Sequence, residues 1–210
     1  MSSAAPRTPR RRDADVSRGA ILDAAEHLFS QFGYERATLS EISRLAGVST
    51  GLPTYFFGGK DNLYRAVLGR LIVEREARLE PLAERAVRSF ESTGERRAAL
   101  ELLISGYVDF LRERLALVRL MGREALDGGR HLGAGPRHSA AVADAIERIA
   151  GTSSGDVDQL VITTVALCFF PFEHNDTMLA AMGRDAMSED FAAARKRHVV
   201  DVLERVLGAG

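Results

Sequence analysis

The chain has 210 residues, 46% of them apolar, and a formal net charge of −1, so it can bury the core of one or two domains. Its one cysteine, Cys168, excludes an intrachain disulfide, and no apolar run nears the ~20 residues of a membrane span. The N-terminal arginines precede no apolar secretory segment, so a soluble cytoplasmic protein is expected.

Charge is unevenly spread. Residues 1–60 hold 8 Lys/Arg against 6 Asp/Glu, and the remainder holds 20 against 23. Residues 1–15 are rich in Arg, Pro, Ser and Ala and read as a disordered basic arm. Such an arm is either a solvated tail or a contact to phosphates or a minor groove. From there the periodicity is helical almost throughout. Ile21, Leu22, Ala25, Leu28, Phe29 and Phe32 form one apolar stripe, which Gly33 ends.

The segment Thr38 to Lys60, TLSEISRLAGVSTGLPTYFFGGK, carries the most information. Thr38 is placed to cap a helix, with Glu41 completing a capping box. Ile42, Leu45 and Ala46 repeat at helical spacing, and Gly47 suits the sharp turn that follows. The second helix is capped either at Ser49 or nearer Gly51. The second choice puts Pro53 in the first turn, where its missing N–H is tolerated. Two short helices joined by a glycine turn read as a helix-turn-helix, whose second helix can enter the DNA major groove. Candidate DNA contacts are Thr50 and Gly51 at the start of that helix, Thr54 one turn on, and Tyr55 through its hydroxyl. Thr38 and Lys60 sit at helix N-termini that favour phosphate, and Ser40 and Arg44 project from the first helix. For Thr38, capping alone is the competing role.

Beyond Lys60, Leu63, Ala66, Val67 and Leu71 continue a helix that Pro81 is expected to kink or end. Further helices are expected from Glu95 to about Leu115, Leu117 to Leu126, His138 to Ile149 and Val157 to Phe170, the last interrupted at Pro171. Ser188 should cap a final one. The class is all-α, with no strand alternation and no repeat. Neither a phosphate-binding glycine loop nor a nucleophile elbow is present. His131, His138, His174 and His198 have no metal-ligand spacing, and Cys168 lies in an apolar run with no base beside it. No catalytic, metal or cofactor role is therefore expected.

Residues 18–68 resemble the DNA-binding domain of TetR-type transcriptional regulators. The likeness rests on the helix ILDAAEHLFSQFGYERAT, the core SEISRLAGVSTG, the pair Phe56-Phe57, and Lys60 with Leu63. The family usually has leucine and tyrosine where this chain has Pro53 and Thr54. The resemblance implies a three-helix DNA-binding domain over residues 16–63 and a larger helical regulatory and dimerisation domain over 64–210. It implies a homodimer joined through about 157–170 and 188–207, although a monomer core would use the same residues. It also implies a repressor on a palindromic operator, released by a small molecule that shifts the helix after Lys60. A ligand-activated or corepressor-dependent regulator is the variant. A nonspecific architectural DNA binder is the competing class, and the acidic remainder of the chain disfavours it. Candidate ligand contacts are Tyr107, Phe110, Met121 and Phe169 as apolar lining, with Arg123, Glu124 and His131 as polar groups. Plain core packing is the alternative for the first four.

Overall fold

The computed structural model describes residues 10–133, 140–151 and 154–208, which form nine α-helices, one π-helical turn and no strand. Helix α1 (Arg10–Arg36) begins inside the stretch expected to be a disordered arm. Residues 10–15 contain no Gly or Pro and put Asp13 in the first turn, where the helix dipole favours an acid. Residues 1–9 and His138 lie outside the described residues. Near the end of α1, Gly33 takes φ 83° and breaks the helical path, as a residue without Cβ can.

Helices α2 (Leu39–Ala46) and α3 (Leu52–Phe57) follow. The Thr38 hydroxyl accepts from the Glu41 N–H at 3.2 Å, and Glu41 Oε2 accepts from the Thr38 N–H at 3.1 Å. This is the capping box expected from the sequence. Gly51, not Ser49, caps α3, so Pro53 falls in its first turn. Ile21, Ala25 and Phe29 of α1, Ile42 of α2, Phe57 of α3 and Tyr64 of the next helix close a small core. Phe29 and Tyr64 meet edge to face with centroids 4.9 Å apart.

Helix α4 (Lys60–Thr93) runs unbroken past Pro81. Pro81 and Ala77, whose carbonyl it leaves without a helical donor, are both exposed, on a side of α4 open to solvent. The body then adds α5 (Arg96–Glu113), α6 (Leu115–Leu126), α7 (Ala140–Ala150), α8 (Ser154–Glu173) and α9 (Glu189–Gly208). Helix α8 also passes its proline. Pro171 cannot donate to the Leu167 carbonyl, and Arg195 of α9 donates to that oxygen instead, at 2.8 Å. The π-helical turn, Asn175–Leu179, follows, and Ser188 caps α9 by accepting from the Phe191 N–H at 3.3 Å.

Within 157–170, Val157, Leu160, Val161 and Cys168 are buried inside the chain. Ile162, Ala166 and Phe170 of α8 face outward at helical spacing, as do Ala194, His198 and Val206 of α9. The stretch expected to join two copies thus divides into a core face and an open apolar face.

Candidate nucleic-acid interface and interior cavity

The helix-turn-helix has a buried side and an open side. Pro53 and Phe57 anchor α3, and the Arg18 guanidinium lies 5.0 Å from the centre of the Phe57 ring. On the open side, Thr50, Gly51 and Thr54 are exposed, and Tyr55 is 80% exposed. Thr38, Ser40 and Arg44 are exposed on and beside α2. Lys60 is placed differently. Its ammonium donates to the Glu35 carbonyl at 3.1 Å and lies 4.5 Å from the centre of the Tyr34 ring. It therefore ties α4 to the end of α1. Pro53 costs α3 no hydrogen bond, because the first-turn N–H groups have no helical acceptor.

In the body, a cavity of about 450 Å³ lies between helices α4 to α8. Of the residues expected to line it, Tyr107, Met121, Glu124 and Phe169 do so. Phe110, Arg123 and His131 do not. Phe110 is buried in the core but forms no part of the cavity wall. Arg123 donates to the Gln31 carbonyl of α1 at 3.3 Å. His131 sits behind Glu124 rather than beside the cavity. The sequence reading missed Arg75, which also lines it. The signal was there: Leu71, Arg75 and Leu79 recur every fourth residue, so a charge occupies the buried stripe of α4.

Glu124 is wholly buried and makes the connection between cavity and head. Its Oε2 accepts from the His131 backbone N–H at 3.0 Å, and its Oε1 faces His131 Nδ1 at 2.9 Å. Burial, followed by the nearby Glu124 charge, pushes the Tyr64 phenol well above its ordinary range. The His131 ring packs 4.9 Å from Tyr64 and 5.1 Å from Tyr34. Its Nε2 lies 3.3 Å from Asp61 Oδ1 at the start of α4. Asp61 in turn pairs with Arg65 at 2.9 Å, and that bond holds its carboxyl below the usual range. A second set of charges joins the same parts: Arg70 of α4 reaches Asp23 and Glu26 of α1, both at 2.6 Å. Arg114, between α5 and α6, reaches Glu26 at 3.1 Å and Glu74 at 2.7 Å.

Cys168 is buried, and burial pushes its thiol up to about 12, so the reactive thiolate is suppressed. Among the described residues, no three His, Cys, Asp or Glu side chains are grouped to hold a metal ion. No helix among them is long and apolar enough to cross a membrane.

Comparison with known proteins fits both regions. Residues 21–67 match the family described as bacterial regulatory proteins, tetR family, and residues 97–203 match the tetracyclin repressor-like C-terminal domain. The HTH-type transcriptional regulator RutR of Escherichia coli (strain K12) is 42% identical over 74 residues, 34% of this chain and 35% of that protein. The HTH-type transcriptional regulator AcrR of Shigella flexneri is 32% identical over 117 residues, 49% of this chain and 54% of that protein. These curated relatives are thus matched over about a third to a half of their length. A TetR-like transcriptional regulator from Rhodococcus sp. RHA1 shares the fold with a TM-score of 0.62 at 21% identity, over 97% of this chain and all of that one.

Proposed function

The chain belongs to the tetR family of bacterial regulatory proteins, which are helix-turn-helix transcriptional regulators, and from that membership we propose a ligand-released repressor. It acts in the cytoplasm as a homodimer on a palindromic operator. Two heads related by a two-fold axis double the bases that one short helix can reach. The open faces of α8 and α9, with Ile162, Phe170 and Val206, are the surfaces for the second copy. Thr50, Gly51, Thr54 and Tyr55 meet the DNA, with Thr38, Ser40 and Arg44 on the flanking phosphates.

One observation carries the release mechanism: Glu124 lines the cavity and also holds His131. His131 is the seat on which Tyr34, Tyr64 and Asp61 rest. A molecule that moves Glu124 therefore moves the joint between α4 and the head. The ligand shifts the equilibrium only as far as it binds the released state more tightly than the DNA-competent one.

Selection of bound sequences from a random DNA pool tests this reading. Enrichment of a palindrome is the expected result. A folded dimer that enriches nothing contradicts it.

A further inference from the structure

Two charged side chains line the cavity among the described residues, Arg75 and Glu124, and both are engaged within the protein. Arg75 pairs with Glu76 at 2.8 Å. Glu124 Oε2 accepts from the His131 backbone N–H, and its Oε1 faces the His131 ring. Tyr107 is placed differently. It lines the same cavity, and only 8% of the residue is exposed. Among the described residues its hydroxyl has no hydrogen-bond partner. A buried tyrosine usually finds one, and a buried donor left without a partner is costly. The rest of the wall is largely apolar, with Leu79, Leu117, Val161 and Phe169 among it.

We propose that the cavity takes an uncharged, mostly apolar molecule with a carbonyl group, whose oxygen accepts a hydrogen bond from the Tyr107 hydroxyl. The inference rests on the reading of this cavity as the effector site. Burial pushes the Tyr107 phenol well above its ordinary range, so it keeps its proton and offers a donor. A carbonyl oxygen answers that donor and adds no N–H or O–H that would need a partner of its own in an apolar wall. A charged ligand meets two charges that already have partners, one of each sign. It would have to displace one of those partners or lie unpaired in the interior, and either is costly. A pure hydrocarbon would strip water from the hydroxyl and return nothing. The volume of about 450 Å³ falls within the ~300–1,000 Å³ of small-molecule sites.

Calorimetric titration of the full chain and of Tyr107→Phe with butyrophenone and butylbenzene tests the assignment, since the two probes differ by a carbonyl in place of a methylene. Tyr107→Phe should weaken the ketone roughly two- to tenfold, the worth of one lost hydrogen bond. The same change should tighten the hydrocarbon, because no hydroxyl is then left unpaired. Ketone affinity that does not fall, or a hydrocarbon that weakens as much as the ketone, overturns the role of Tyr107 and leaves the cavity reading standing. 4-Phenylbutanoate and 4-phenylbutylamine should bind the unaltered chain at least roughly tenfold more weakly than the ketone. Either of them binding as tightly as the ketone overturns the uncharged class. Should Tyr107→Phe fail to fold, the infrared carbonyl band of carbon-13 butyrophenone bound to the unaltered chain decides. A band below its position in hexane is expected, and a band at the hexane position overturns the hydrogen bond. If none of the four compounds binds the unaltered chain, the cavity reading and the assignment fall together.

Discussion

The DNA head and the body of this chain are held together by different kinds of interaction. In the head, the decisive contacts are close in sequence. Thr38 and Glu41 cap α2 three residues apart, Gly47 turns the chain, and Gly51 sets the start of α3. In the body, and where it meets the head, they span the chain. Arg195 completes α8 from α9, and Arg114 reaches Glu26 across 88 positions. Local rules make a small reading unit, and distant pairs make a body with an interior cavity and join it to that unit. A regulator needs both: one part that keeps its shape on DNA, and one whose packing a ligand can alter.

Four changes probe that contrast. The largest effect is expected where the two regions share a core. Phe29→Ala removes a fully buried ring packed on Tyr64 and should cost about 3–5 kcal/mol of stability, read as a fall in the denaturation midpoint. Next, Arg195→Met leaves the Leu167 carbonyl with neither its helical donor nor its substitute, at a cost of roughly 1–3 kcal/mol. Circular dichroism melting should show the loss, and Pro171→Ala should recover much of it by restoring the N–H. If Arg195→Met melts like the parent, the long-range repair of α8 is wrong. Tyr55→Phe should leave the melt unchanged and weaken operator binding by about 0.5–3 kcal/mol, toward the upper part if the hydroxyl reaches a charged phosphate. Equal operator affinity would remove Tyr55 from the contacts.

The smallest effect is the cap. Thr38→Ala should cost about 1 kcal/mol, and its pH dependence has a definite sign. Bonds from Thr38 hold the Glu41 carboxyl below its ordinary range. Its contribution is therefore present above the ordinary carboxylate value and fades as pH falls through the lowered one. Glu41→Gln should thus flatten the acid side of the stability profile slightly. A profile identical to that of the parent would show that the cap adds nothing.

The same contrast explains what could be read without the structure. The capping box, the glycine turn and the helical class were legible because each depends on residues within a few positions. The two options for the start of α3 narrowed to Gly51 once Pro53 had to sit in the first turn. Pro171 misled because its rescue comes from Arg195, 24 positions on, and no local pattern signals it. Pro81 misled because its effect depends on whether Ala77 faces water. In the cavity, large apolar and charged residues near Tyr107 and Glu124 drew attention by type, but type does not set direction. Phe110 and Arg123 point to other partners. His131 was singled out as a ligand contact, and its position behind Glu124 became visible only when α6 was set against α1 and α4. Arg75 was passed over because a single arginine on a highly charged helix looks ordinary until the Leu71–Leu79 stripe around it is seen to be buried.

Coupling between cavity and head is open to a direct check with operator DNA recovered from the random-pool selection. Affinities of the unaltered chain, Glu124→Gln, Asp61→Asn and the double variant form a thermodynamic cycle around His131. The two substitutions should be non-additive in DNA affinity by at least ~0.5 kcal/mol, because both act through the same imidazole. Additivity to within ~0.3 kcal/mol, in variants that remain folded and dimeric, would contradict the coupling.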